Sequence, residues 1–292
     1  MFGVRLLSGI VILAISILGM AVGGEVLCIG LCIISLIGFR EMTKVLGVSG
    51  NDTEGGKKFS APEIIGFVGI VALYAGVYAV YLTDSFVYML GAVVFTILAL
   101  MFAYVFAFPK FNAEKIIGAV FAFVYAPLML SFVYLTREGN AGIYVVWLIL
   151  ISSWGCDTMA YVAGKLFGKH KAFPELSPKK TIEGCVGGVL GSALIGAIYA
   201  ALVINGRVDI TGSVWKIAVL TAAGALMSMV GDLAASAIKR NRDIKDYGKL
   251  IPGHGGIMDR FDSTIVVAPL VFFLTVVLLC YKRQSRNVWN LV

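Results

Sequence analysis

The sequence predicts an all-α fold, a polytopic transmembrane helical bundle of about nine spans, and three observations carry that reading. Hydrophobic residues make up 59% of the 292-residue chain and charged residues 14%, with a mean hydropathy of +0.92. A soluble domain needs more polar surface than this to cover its core. Apolar runs also recur that can cross about 30 Å of hydrocarbon, which takes about 20 helical residues each. The runs are continuous and lack the period-two alternation of a membrane strand, so helices rather than a barrel satisfy their backbone polar groups.

In order, the predicted spans are Leu6 to Val22, Val26 to Phe39, Glu63 to Leu82, Phe86 to Phe108, Ile116 to Leu135, Ile143 to Ala163, Gly184 to Ile204, Val214 to Val230 and Thr264 to Tyr281. The basic-then-apolar start resembles a signal peptide. Only Gly23-Gly24-Glu25 separates the first run from the second, however, which favours an uncleaved helix. The stretch from Glu41 to Ser60, rich in Gly, Ser, Asn, Asp and Lys, reads as a solvated connection. The first five spans carry few charges and read as scaffold, lipid contact or oligomer interface. The chain accordingly divides into scaffold spans over 1–142 and a catalytic region over 143–292 that carries the polar signature. Gly184, Gly188 and Ser192, spaced by four, permit close helix packing. Cys28, Cys32, Cys156, Cys185 and Cys280 lie in or beside apolar runs and read as packing groups; no His or acidic cluster joins Cys28 and Cys32.

If the spans alternate across the bilayer, cations sort strongly by side. One side collects Arg5, Arg40, Lys44, Lys57, Lys58, Lys110 and Lys115, five lysines from Lys165 to Lys180, and six cations from Lys239 to Arg260. Arg137, Arg207 and the tail residues Lys282, Arg283 and Arg286 fall on the other. The positive-inside rule makes the first side cytoplasmic. The net charge of +7 is explained by these membrane-flanking loops, which point to anionic lipid or phosphate and not to nucleic acid.

Three polar patches stand out in the second half. Ionisable groups at bilayer depth cost roughly 2.5 to 3.5 kcal/mol each to insert, so a cluster of them reads as a working site. The first patch is Ser152-Ser153-Trp154-Gly155-Cys156-Asp157 with Tyr161, where helical spacing puts Ser153, Asp157 and Tyr161 on one stripe. Asp157 is either a carboxylate satisfied by neighbouring hydroxyls or part of a polar cavity. The second, Ser177-Pro178-Lys179-Lys180-Thr181, precedes a helix beginning at Thr181 or Glu183. It is either a membrane-flanking basic loop or a phosphate site combining ammonium groups with helix N-terminal N–H groups.

The third patch is the densest. Asp232, Ser236 and Lys239 share one helix face, and Asp259 and Asp262 are neighbours if the ninth helix begins there. Carboxylates on two helices can hold Mg²⁺ through one or two ligands plus substrate phosphates. The glycines of Pro252-Gly253-His254-Gly255-Gly256 can bring backbone N–H groups close to a phosphate, whereas His254 alone reads equally well as structural or functional.

The run from Ser236 through Lys239-Arg240, Lys245-Asp246, Gly248 and Pro252-Gly253-His254-Gly255-Gly256 to Asp259-Arg260-Phe261-Asp262 spans 27 positions. It resembles the signature of the phosphatidate cytidylyltransferases, the CDP-diacylglycerol synthases. Ser177-Pro178-Lys179-Lys180-Thr181 and Asp157 with Ala160-Tyr161 are similar to the family as well, although Ile182 stands where many relatives carry an aromatic residue. The resemblance is strong over 152–264 and architectural before that.

That resemblance implies an integral membrane nucleotidyltransferase of phospholipid biosynthesis. It would join CTP and phosphatidate at a Mg²⁺ site to give CDP-diacylglycerol and pyrophosphate, in contact with membrane lipid and as a homodimer. Asp232, Asp259 and Asp262 are the implied metal ligands, with Asp246 beside them; Lys239, Arg240, Lys245 and Arg260 would neutralise phosphate. Ser177, Lys179, Lys180 and Thr181 would bind the triphosphate or the lipid head group, with Asp157, Ser236, His254, Gly255 and Gly256 completing the substrate contacts. In a bacterium the site would face the cytoplasm from the inner membrane. A polyprenol kinase using CTP, or a cytidylyltransferase of archaeal ether lipids, would share the nucleotide site. An ion-coupled transporter would instead use Asp157 and Asp232 as coupling carboxylates.

Overall fold

A computed structural model describes residues 2–49, 59–208, 212–251, 253 and 255–278. Lys57, Lys58, His254, Cys280 and the basic tail lie outside the described residues. The protein is a polytopic helical membrane protein whose helices follow the hydropathy pattern. They are α1 (Phe2–Val22), α2 (Gly24–Val45), α3 (Ala61–Thr83), α4 (Val87–Phe106), α5 (Ala113–Glu138), α6 (Gly142–Phe167), α7 (Ile182–Ile204), α8 (Ser213–Asn241) and α9 (Met258–Leu278). Among the described residues, α2 to α9 are eight helices long and apolar enough to cross a membrane. Between α6 and α7, β1 (Lys171–Phe173) and β2 (Ser177–Thr181) pair antiparallel, with Lys171 opposite Thr181 and Phe173 opposite Ser177.

Local signals fix the helix starts. Ser60 and Glu63 form a reciprocal capping box at α3, with Pro62 in its first turn. Asn112 accepts the Lys115 N–H at α5, and Thr181 accepts the Gly184 N–H at α7. Three helices contain a π turn: Val124–Leu128 of α5, around Pro127, Ile151–Gly155 of α6, and Ala200–Ile204 at the end of α7. Pro127 has no N–H to give to the helical ladder, and a single wider turn accommodates that loss.

The chain forms two compact units that interleave in sequence. The first comprises Met1–Tyr134 with Ile244–Arg260. In it α2, α3, α4 and α5 pack together around Val48, Leu100, Phe111, Ile116 and Ala119. The connection read as solvated from Glu41 to Ser60 is not so where it is described, because α2 runs on to Val45 and Thr43 and Val48 are fully buried. Glu63, also fully buried, takes Arg40 at 2.5 Å, Thr43 Oγ1 at 2.9 Å and Ser49 Oγ at 2.6 Å. A buried carboxylate with this many partners ties the end of α2 to the start of α3.

The second unit comprises Leu135–Asp243 with the described chain from Phe261 to Leu278. There α7 packs on α6 and on α8, with Cys156, Ala225 and Met229 in the core. The small residues of α7 are where α6 approaches: a Cβ at Gly184 would lie 2.9 Å from Ala160 O, and one at Gly188 3.0 Å from both Cys156 Sγ and Ala160 Cβ. Cys28 and Cys156 are buried, and each thiol points at a backbone carbonyl.

Candidate active site

The second unit gathers the carboxylates of three helices. Helix α8 continues eleven residues beyond the predicted end of its span, so Asp232, Ser236 and Lys239 sit half-buried on its last turns. Asp262 on α9 is 8% exposed and accepts the Ser263 N–H at 2.8 Å. Asp232, Lys239 and Asp157 all lie within its electrostatic reach. The Asp232 side chain is open enough to meet a ligand, at 32% exposure, and its Oδ2 takes the Lys180 ammonium at 2.5 Å. Gly231 lets α9 approach α8 beside these groups, since a Cβ there would lie 2.8 Å from Asp262 O.

Lys180 arrives at Asp232 from the small sheet, where the sequence suggested a loop. Side chains alternate along a strand, so Lys180 is half-buried while Lys179 is exposed. The hairpin is anchored to α7 by Ile182 N–H to His170 O at 2.9 Å, and by the Glu183 carboxylate, which accepts from the Lys169 and His170 backbone and meets His170 Nδ1 at 2.6 Å. These bonds, with the Thr181 cap, occupy the N–H groups of Ile182 and Gly184. The phosphate site expected from helix N-terminal N–H groups therefore lacks two of those donors, and the ammonium groups of Lys179 and Lys180 remain.

The π turn of α6 alters the expected stripe. It adds one residue to a turn of helix, so Ser153 is buried and donates to Ile149 O at 2.8 Å, whereas Asp157 and Tyr161 are exposed. Ser153 Oγ also lies 3.5 Å from Thr264 Oγ1.

The signature loop from Ile244 onward belongs to the first unit, which takes in Ile244–Arg260. An isolated bridge joins Ile251 and Gly255, and Gly255 has φ +82°, a conformation that side-chain-bearing residues avoid. Asp259, at the start of α9, accepts the N–H groups of Tyr247 at 2.8 Å and Gly256 at 3.0 Å on Oδ2. Lys245, Asp246 and Arg240 are exposed, and Arg260 is half-buried. His254 is outside the described residues.

One acidic residue of this loop region escaped the sequence reading. Glu41 of α2, 7% exposed, accepts the N–H groups of Ile257 on Oε1 at 3.1 Å and Met258 on Oε2 at 2.9 Å. The available signal was periodicity. The buried stripe Leu31, Ser35, Gly38, Met42 runs past the end of the apolar run and carries Glu41 into the interior.

A membrane-spanning α fold with carboxylates and lysines converging on its helices defines a class of polar-site membrane protein, and comparison with known proteins gives the family. The sequence model of the cytidylyltransferase family matches residues 3–278. A phosphatidate cytidylyltransferase of Staphylococcus aureus is 30% identical over 273 residues, covering 94% of this chain and 98% of that protein. Those of Staphylococcus saprophyticus and Staphylococcus epidermidis are 38% and 39% identical over 147 residues, 50% of this chain and 55% of each relative. The chain thus spans about half the length of these last two relatives in the match. It belongs to the cytidylyltransferase family.

Proposed function

We propose that the protein transfers the cytidylyl group of CTP to phosphatidate, releasing pyrophosphate and leaving CDP-diacylglycerol in the membrane. The observation that carries this reading is the ion pair between Lys180 of β2 and Asp232 of α8, beside Lys239 and the buried Asp262 of α9. A phosphate oxygen of the lipid attacks the α-phosphorus of CTP. The bond from that phosphorus to the bridging oxygen breaks in line, and the electron pair leaves with pyrophosphate. No side-chain nucleophile is required; two polyanions must be aligned and their charge neutralised. Lys180 and Lys239, with Lys179 and Arg240, supply positive charge in the second unit, and Lys245 and Arg260 carry that of the signature loop. The catalytic residues fall within the region 143–292.

Asp232 and Asp262 fit a Mg²⁺ ion. Among the described residues no group of three or more His, Cys, Asp or Glu is set to hold a metal, but Mg²⁺ characteristically uses one or two carboxylates and completes its shell with substrate phosphates. The Asp232 carboxylate, paired with the Lys180 ammonium and 32% exposed, supports this reading because it already faces positive charge and is open to a ligand. Bound there with CTP, Mg²⁺ would neutralise charge developing on the phosphates. The two backbone bonds on Asp259 Oδ2 favour holding the loop over holding the metal. The excess of cations in the loops on one side supports a site facing the cytoplasm, where CTP resides, and we propose a homodimer in the inner membrane.

The test uses purified protein in detergent with phosphatidate, Mg²⁺ and CTP labelled in the cytidine. Label should pass into the organic phase only when phosphatidate is present. Label remaining in water with folded protein would refute the reading, and transfer to an ether lipid instead would move the activity to another lipid substrate.

A further inference from the structure

Four backbone N–H groups, those of Tyr247, Gly256, Ile257 and Met258, are taken by two carboxylates of different origin. Asp259, from within the signature, takes the Tyr247 and Gly256 N–H groups. Glu41, 216 residues away from Ile257 in sequence, takes the N–H groups of Ile257 and Met258, one on each oxygen. The first N–H groups of any helix lack partners within it and are normally met by a Ser, Thr, Asp or Asn just before the helix. The sequence before α9 reads Gly255-Gly256-Ile257 and offers no such side chain. Glu41 performs the cap from another helix.

The loop is shaped to admit this carboxylate. A Cβ at Gly256 or Gly248 would collide with the Glu41 oxygens, so these positions accept glycine because the carboxylate sits against the backbone. Glu41 is 7% exposed and lies near both Asp259 and Lys44. A carboxylate kept this close to a second one, and removed from water, is costly unless its hydrogen bonds are fully made. Here both oxygens have backbone donors.

We propose that Glu41 is a positioning residue of the reaction: it sets the start of α9 and the conformation of the 246–257 loop, and through them the orientation of Asp259 and Arg260. This rests on the cytidylyl-transfer reading above. Glu41→Gln preserves size but offers one acceptor oxygen, and its NH₂ group faces a backbone N–H, donor against donor. Displacing the loop by about 1 Å is expected to lower kcat by roughly 10- to 100-fold.

The experiment compares full-length wild type, Glu41→Gln, Glu41→Asp and Glu63→Gln in detergent. It reads kcat and KM for CTP per folded molecule, together with amide hydrogen exchange over 245–259. Glu41→Gln should lose at least about tenfold in kcat with KM for CTP changed less than about threefold, while exchange at Ile257 and Met258 rises. Glu41→Asp, which keeps the charge on a shorter stem, should fall between Glu41→Gln and wild type and stands in if the Gln variant does not fold. Glu63→Gln, a buried carboxylate outside the loop, should lower thermal stability with kcat per folded molecule unchanged. Wild-type kcat in either folded Glu41 variant overturns the proposal. So does an equal kcat loss in Glu63→Gln, which would make the effect general destabilisation. An inactive wild type would instead sink the cytidylyl-transfer reading on which the proposal rests.

Discussion

Asp232 combines an open carboxylate with a lysine partner, and these two properties separate its contribution to stability from its contribution to chemistry. A partly exposed ion pair contributes about 0 to 1 kcal/mol to folding, whereas a charged group aligned with a reacting phosphate contributes about 100- to 1,000-fold in rate. Asp232→Asn should therefore leave the melting temperature in detergent within a few degrees of wild type and reduce kcat by about 100-fold or more, measured by cytidine-label transfer. Lys180→Met should raise KM for CTP and weaken CTP binding measured by calorimetry. Most of these residues were legible before the structure, because ionisable groups at bilayer depth demand an explanation and the spacing of Asp232, Ser236 and Lys239 already placed them on one face. Glu41 was legible only through the helical periodicity of α2 and was missed. A single carboxylate at the end of an apolar run looks like an ordinary loop boundary, and its partners lie at the other end of the chain.

At the scale of elements, apolar runs of about 20 residues marked the spans well, since hydrocarbon thickness sets helix length. They marked the ends poorly at α8 and α9, where the helices continue into the polar signature and hydropathy falls although the hydrogen-bond ladder does not. The π turn of α6 was hidden as well: one extra residue in a turn leaves hydropathy unchanged but moves Ser153 off the face of Asp157. The hairpin that delivers Lys180 is short and lysine-rich, with no run of β-branched residues to announce it. Packing at α6 and α7 can be tested directly. Gly188→Val puts a branched side chain where Cys156, Ala160 and Met229 already stand within 3.0 Å of a Cβ, so overpacking should cost about 1 to 3 kcal/mol. That loss should appear as a lower melting temperature in detergent; an unchanged transition would contradict the helix contact described.

For the whole molecule, the charge pattern makes a prediction about sidedness. In a background free of native cysteines, Asn140→Cys should react with an impermeant maleimide added outside intact cells, and Lys171→Cys only after permeabilisation. Equal labelling of both positions from outside would contradict the cytoplasmic placement. The global fold class followed from composition and the continuous apolar runs, while the interleaving of the two units did not, because residues 244–260 group with the N-terminal helices through contacts such as those of Glu41 that no local pattern encodes.

The central claim, transfer of cytidylyl rather than of phosphoryl, is tested most directly by supplying phosphatidate and Mg²⁺ with CTP labelled at either the α- or the γ-phosphorus. The account predicts that the α-label enters the lipid phase and the γ-label appears in pyrophosphate, both abolished by EDTA. Entry of the γ-label into lipid would contradict it and identify a kinase.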